Sequence, residues 1–85
     1  MANVSGSVER IFVNDLLCCV TIRKTGGSTS VVLLWSYITQ DDTAANRLLH
    51  GTYLSMAREA LLHNRTLEVS HPSGSALATA VSLEP

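Results

Sequence analysis

The sequence predicts a mainly β domain with one helix, in the order strand-strand-strand-helix-strand-strand. A helix-shaped segment covers residues 42–64, with three strand-like runs before it and two after it. The 85 residues are enough for one domain with a single core, and no linker-like stretch divides them. Residues 1–85 are therefore expected to fold as one unit.

The first two strands are predicted to form a hairpin. Residues 8–13 are rich in β-favouring side chains, and Asn14 and Asp15 tolerate the positive φ of a tight turn. Residues 16–23 alternate between apolar and mixed positions, which is typical of a half-buried strand. The inward set of this second strand is Leu16, Cys18, Val20 and Ile22. Residues 24–29 are polar and glycine-containing, so they are interpreted as a connecting turn.

The third strand, residues 30–39, has apolar side chains on both faces. One face is expected to carry Val31, Leu33, Trp35 and Tyr37, and the other Val32, Leu34 and Ile38. Such a strand is expected to be covered twice, by the core on one side and by a helix or a second subunit on the other.

The helix has clear signals at both ends. Asp41, Asp42 and Thr43 are good N-cap residues, and Asn64 can end the helix in a left-handed conformation. The expected core-facing stripe is Ala45, Leu48, Leu49, Thr52, Tyr53, Met56 and Ala60. The other side, where Gly51 permits close approach, is predicted to contact another subunit. Its residues are Arg47, His50, Gly51, Leu54, Arg58 and Leu61.

Residues 66–70 and 76–83 are predicted to be the last two strands, joined by a turn over residues 71–75. Five strands with one helix between the third and the fourth is the element order of an OB-like small barrel. A two-layer α+β sandwich has the same order and is the alternative.

Residues 30–83 resemble, in pattern, the OB-fold B subunits of AB5-type toxins. The pattern comprises Leu48-Leu49, Met56, Ala60, the run over residues 64–69, a Ser-Gly turn and residues 80–83. The resemblance implies a ring, usually a pentamer, with central helices, joined strand edges and glycan binding on the outer surface. Two features differ from secreted B subunits: the sequence begins without a leader, and its only cysteines, Cys18 and Cys19, are adjacent.

Charge and hydropathy favour an oligomer and disfavour a nucleic-acid partner. Apolar residues make up 46% of the chain and charged residues 15%, so a small monomer has difficulty covering its apolar surface. A net charge of −1 with six dispersed basic residues attracts no phosphate backbone. No run approaches the ~18 apolar residues of a membrane span. The start lacks a signal-peptide pattern, so a cytoplasmic location is expected unless a leader was removed.

No catalytic or metal-binding constellation is recognisable. His50, His63 and His71 lack the spacing of a metal pair, so neither a metal nor a cofactor is expected. Capping explains Asp41 and Asp42, and the adjacent cysteines are expected to remain reduced thiols. An enzyme would need an intersubunit site that joins His50 or His71 to one of these aspartates.

Trp35 and Tyr37 are the candidate ligand-binding residues, with Arg23 at the end of the second strand as a possible contributor. The simpler interpretation places the two aromatic residues in the core. Taken together, the sequence predicts a non-catalytic oligomeric binding module for a glycan, a small molecule or a protein. A single-stranded nucleic-acid-binding OB domain and a small enzyme with an intersubunit site are the alternatives.

Overall fold

A computed structural model describes residues 2–85 and contains the six predicted elements in the predicted order. The elements are β1 (Ala2–Val13), β2 (Leu17–Lys24), β3 (Thr29–Ser36), α1 (Ala44–His63), β4 (Thr66–His71) and β5 (Ala80–Glu84). The strands form one antiparallel sheet in the order β3-β2-β1-β4-β5. The chain is therefore mainly β with one helix, as the sequence predicts.

A short parallel bridge between the edges of the sheet turns it into a small barrel. The bridge pairs Leu33 of β3 with Leu77, which precedes β5. The Leu33 N–H donates to the Ala76 carbonyl at 2.9 Å, and the Leu33 carbonyl accepts from the Ala78 N–H at 2.7 Å. This closure agrees with an OB-like barrel rather than an open two-layer sandwich.

The core lies inside the barrel and under α1. It contains the inward residues of the strands and the packed side of the helix. The fully buried larger side chains are Ile22, Leu34, Leu67, Val20, Val32, Val69 and Cys18. Burial raises the pKa of the Cys18 thiol to about 12, so this cysteine is an inert part of the core.

The predicted alternation of β2 is confirmed for Cys18, Val20 and Ile22, which are all buried, but is wrong for Leu16. Leu16 lies in the hairpin loop and is 50% exposed. The loop also needs no positive φ at Asn14 or Asp15. Instead, the Asn14 Oδ1 accepts hydrogen bonds from the backbone N–H groups of Leu16 and Leu17, both at 2.9 Å, and so forms an Asx-type turn.

A β-bulge changes the faces of β3. Cys18 pairs with Trp35 while Cys19 pairs with Leu33, so Leu34 is the extra residue on β3. Strict alternation is lost here, and Leu34, Trp35 and Ser36 are all buried in succession. Within this chain the second face of β3 is not covered along its whole length, since Val31 is 58% exposed, and cover by a second subunit stays a prediction. The strand also ends at Ser36, so Tyr37 and Ile38 belong to the following turn.

The helix caps are confirmed, but the predicted core-facing stripe is rotated. Thr43 is the N-cap, and its Oγ1 accepts a hydrogen bond from the Asn46 N–H at 3.1 Å. Asn64 ends the helix with a φ of 51°. The buried helix residues are His50, Tyr53, Ala57 and Ala60.

Only Tyr53 and Ala60 of the predicted stripe are buried, with Met56 packed at the edge of the core. Leu48 is 77% exposed and Leu49 is also exposed. The hydrophobic pattern does not identify the buried face of α1, because leucines occur around most of the helix. The pattern also gave no reason to place a histidine in the core. His50 and Leu54, assigned from the sequence to a subunit contact, instead face the core of their own chain.

The accessible surface of the structure is close to that expected of one folded chain of this mass. Its accessible area is 5007 Å², close to the value of about 4,900 Å² expected for a 9.1 kDa protein. The exposed helix leucines are therefore not a sign of an incomplete core. Within residues 2–85, α1 does not have the apolar length that a bilayer span requires.

Replacement of Gly6 by alanine should destabilise the barrel. A Cβ at Gly6 would lie 2.0 Å from the Arg23 carbonyl oxygen, at the point where β1 pairs with both β2 and β4. We expect Gly6→Ala to lower the free energy of unfolding by about 1–3 kcal/mol, as overpacking does, measured by urea denaturation.

Gly51→Ala is the matched control, since a Cβ there meets nothing within 4 Å. This change should raise the free energy of unfolding by about 0.4–1 kcal/mol, because alanine is the better helix former. Equal stability of the two variants would contradict the barrel packing described here.

Candidate functional site

The described residues form a pocket at one end of the barrel, between the β1–β2 loop, the end of β3 and the first half of α1. Its volume is about 490 Å³, which lies in the range of small-molecule sites. The lining residues are Asn14, Asp15, Trp35, Tyr37, Arg47, His50 and Gly51. Aromatic and polar side chains thus meet in one concave region.

Backbone and capping contacts fix the three segments that form the pocket. The Tyr37 N–H donates to the Leu16 carbonyl at 2.7 Å, which joins the hairpin loop to the turn after β3. Within that turn, the Gln40 Oε1 accepts from the Ser36 N–H at 2.8 Å. The Asn46 side chain donates to the Asp41 carbonyl at 2.8 Å and so holds the start of α1 against the same turn.

His50 is the centre of an aromatic cluster on the inner wall. Its ring stacks on Trp35, with a centroid distance of 5.4 Å and an interplanar angle of 11°. Its Nδ1 lies 2.9 Å from the Tyr37 hydroxyl oxygen, and the Tyr53 ring lies 6.2 Å away between centroids. Burial lowers the pKa of His50, since it disfavours the charged imidazolium. The imidazole is therefore neutral at pH 7.

Arg47 covers the outer side of Tyr37. The guanidinium carbon lies 5.8 Å from the centroid of the Tyr37 ring, a cation–π arrangement. Its Nε and one terminal nitrogen donate to the two carboxylate oxygens of Asp42, at 2.5 Å and 2.8 Å. This contact holds the pKa of the Asp42 carboxyl below its usual range. The positive charge of Arg47 is thus already paired, which disfavours a site built for a phosphate.

The structure brings together two of the three predicted ligand-binding residues. Trp35 and Tyr37 both line the pocket, although Trp35 is only 8% exposed. Arg23 does not join them, because it lies five residues beyond Cys18 along β2, roughly 17 Å from the pocket end. There it forms an ion pair with Glu9 and donates to the Gly27 carbonyl at 3.0 Å.

Sequence reasoning missed the other wall residues as ligand contacts. Arg47, His50 and Gly51 were assigned to a subunit contact, and Asn14 and Asp15 to a turn. The helical spacing of Arg47, His50 and Gly51 was visible in the sequence. Their proximity to Trp35, however, depends on the bulge in β3 and on the rotation of α1. Neither the bulge nor the rotation has a signal in the pattern of apolar residues.

Within a single chain, the predicted histidines His50 and His71 do not share the pocket with Asp41 or Asp42. Asp41 does not line the pocket and Asp42 is engaged by Arg47, while the His71 Nδ1 contacts the carbonyls of Pro72 and Ser75 in its own loop. Within residues 2–85, no group of three or more histidine, cysteine or acidic side chains is arranged to hold a metal ion.

No protein-family model matches the chain, and no curated protein and no solved structure matches it either.

The burial of His50 predicts a loss of stability in mild acid. Because its native pKa is lowered, the unfolded chain binds more protons than the native chain below the ordinary value of 6.5. The free energy of unfolding should therefore fall as the pH drops below about 6.5, by at most about 1.4 kcal/mol per pH unit, and level off below the native pKa. Urea denaturation between pH 5 and pH 8 measures this slope.

In His50→Gln the part of the slope due to this histidine should disappear. His63→Gln is the control, since His63 is an exposed residue in the last turn of α1. An unchanged pH dependence in His50→Gln would show that the imidazole is not held neutral by the core.

Proposed function

We propose that this chain is a non-catalytic binding module that takes a glycan or a similar small polyhydroxylated ligand in the pocket and assembles with copies of itself. The observation that carries the proposal is the composition of the pocket. Aromatic surface from Trp35 and Tyr37 lies beside the polar side chains of Asn14, Asp15 and Arg47. Aromatic surface suits the apolar face of a sugar ring, and amide, carboxylate and guanidinium groups suit its hydroxyls.

The charges around the pocket support a neutral ligand. Arg47 is neutralised by Asp42, while Asp15 forms no ion pair with any of residues 2–85. A phosphate would meet an unpaired carboxylate and would have to displace Asp42 from Arg47. A neutral polyol avoids both costs, because it exchanges hydrogen bonds with water for hydrogen bonds with these groups. The same charges, with the overall charge of −1, disfavour a nucleic acid.

The resemblance to toxin B subunits supports the same class of function. The barrel has the element order that the resemblance implies, with the helix between the third and fourth strands. The ligand site proposed here follows from the pocket of this chain and not from that resemblance.

The outward face of α1 supports self-assembly. We define this outward face as Leu48, Gly51, Ser55, Arg58 and Leu62, which follow one another at spacings of three and four residues. Leu48 and Leu62 are 77% and 70% exposed. Only Arg58 is charged, and Gly51 leaves room for close approach. We propose that a second copy covers this face, in a dimer or a ring, and that the leucines supply the apolar contact.

Ligand binding can be followed by the fluorescence of Trp35, the only tryptophan of the chain. Titration with a panel of methyl glycosides should give saturable changes for at least one sugar. Arg47→Ala should weaken that affinity by about 10-fold or more, since hydrogen bonds from a charged donor contribute about 1.5–3 kcal/mol.

Arg23→Ala is the matched control and should bind as the unchanged protein does, because Arg23 lies at the far end of β2. A salt-dependent response to a single-stranded oligonucleotide, with none to the glycosides, would instead favour the nucleic-acid alternative. Turnover of any glycoside would favour an enzyme.

Assembly can be tested by size exclusion with light scattering. The unchanged protein should have a mass that is a multiple of 9.1 kDa, and Leu48→Gln combined with Leu62→Gln should shift it toward the single-chain mass. Val31→Thr, which alters an exposed apolar residue on β3, is the control and should leave the mass unchanged. A single-chain mass for the unchanged protein at micromolar concentration would rule out self-assembly.

A further inference from the structure

The hydroxyl of Tyr37 is the one tyrosine hydroxyl at the pocket. Tyr37 lines the pocket, and its hydroxyl oxygen lies 2.9 Å from the Nδ1 of His50. The other tyrosine, Tyr53, donates to the Thr79 carbonyl at 3.3 Å and does not line the pocket. Any contact between a ligand and a phenolic group of this site therefore involves Tyr37.

The His50 ring is held in one orientation. It is buried, it stacks on Trp35, and it contacts Tyr53 on another side. A half-turn of the ring about its Cβ–Cγ bond would keep the stack with Trp35 but would separate Nδ1 from the Tyr37 hydroxyl. The hydrogen bond between these two side chains is thus a fixed feature of the pocket wall.

Burial favours the neutral imidazole of His50, because it lowers the pKa of the ring. The only acidic residue that lines the pocket with it is Asp15, in the exposed β1–β2 loop. Arg47, from the same helix, brings a positive charge next to Tyr37, and Asp42 is committed to Arg47. Neither Asp15 nor the Arg47–Asp42 pair contributes to the lowered pKa of His50, whose cause is burial. One ring nitrogen therefore carries a proton and the other is an acceptor.

The direction of the hydrogen bond follows from the chemistry of the two groups. A phenol is a good donor and a poor acceptor, since its oxygen lone pair is delocalised into the ring, whereas the unprotonated imidazole nitrogen is a strong acceptor. The favourable arrangement is donation from the Tyr37 hydroxyl to Nδ1, with the imidazole proton on Nε2. The Tyr37 oxygen then has no proton to offer a ligand and presents only lone pairs.

We infer that His50 is a positioning residue that makes Tyr37 a hydrogen-bond acceptor toward the pocket, so that the site selects ligands with a hydroxyl or N–H group at that position. This inference rests on the proposed function and adds a chemical selection to it. A sugar hydroxyl satisfies the requirement. A deoxy position or a methyl ether does not.

Acid weakens the selection. Protonated imidazole donates from both nitrogens, so Nδ1 would donate to the Tyr37 oxygen and the phenolic proton would turn toward the ligand. The preference for a hydroxyl over its methyl ether should therefore shrink as the pH drops through the native pKa of His50, because both oxygens can accept from the turned phenolic proton. The hydrogen bond between Arg47 and Asp42 lowers the pKa of Asp42 and raises the pKa of Arg47, so this pair stays charged and the change belongs to the His50–Tyr37 pair.

The first arm of the experiment needs no ligand. Nitrogen-15 NMR of the histidine side chains distinguishes a protonated from an unprotonated ring nitrogen. We expect Nδ1 of His50 to be the unprotonated nitrogen at pH 7.5 and its signal to shift in Tyr37→Phe. Tyr53→Phe is the matched control, because it removes the other tyrosine hydroxyl, and it should leave the signal in place. A protonated Nδ1, or a signal that Tyr37→Phe does not move, would overturn the inference.

The second arm uses the best-binding methyl glycoside and its singly deoxygenated and singly O-methylated derivatives. At one position of the sugar, removal or methylation of the hydroxyl should weaken binding to the unchanged protein by about 2- to 10-fold, which is the contribution of one hydrogen bond. The same loss should vanish in Tyr37→Phe and persist in Tyr53→Phe. The loss caused by O-methylation at that position should shrink in acid for the unchanged protein and should not change with pH in Tyr37→Phe.

The two arms test glycan binding and the positioning role of His50 separately. If no glycoside binds while Nδ1 is unprotonated and coupled to Tyr37, the glycan function fails and the positioning by His50 remains. If glycosides bind but every derivative binds equally well, the inference about donor selection is wrong and the binding function stands.

Discussion

The closure of the sheet at Leu33 is the contact on which the rest of the structure depends. Two backbone hydrogen bonds, to Ala76 and from Ala78, join the edge of β3 to the segment before β5. They enclose the core of a chain that is only 85 residues long. They also fix the end of β3 at the mouth of the barrel, where α1 covers it. The pocket exists because one end of the closed barrel, one loop and one helix meet there.

The element order was predictable, whereas the details that create the pocket were not. Alternation identified the buried residues of β2, and capping chemistry identified Thr43 and Asn64 as residues at the ends of the helix. These features are local, so a short window of sequence contains the information. The inward rotation of α1 places His50 in the core, and this depends on contacts between residues far apart in the chain.

The bulge at Leu34 is the second feature that the sequence did not reveal. Apolar residues are continuous along β3, so an extra residue shifts the register without changing the pattern of apolar positions. Trp35 and Tyr37 were correctly grouped as neighbours. The third candidate, Arg23, was chosen for its position at the end of β2, and the antiparallel register carries it to the opposite end of the barrel.

Gly51 belongs both to the pocket lining and to the outward face of α1. A second copy packed on that face would therefore form part of the surroundings of a bound ligand. Two binding events that share a wall are thermodynamically linked, and the linkage is reciprocal. A ligand that touches both copies would strengthen their association by the same factor by which association strengthens its own binding. As the protein concentration rises, the fraction of occupied pockets and the size of the assembly would then increase together.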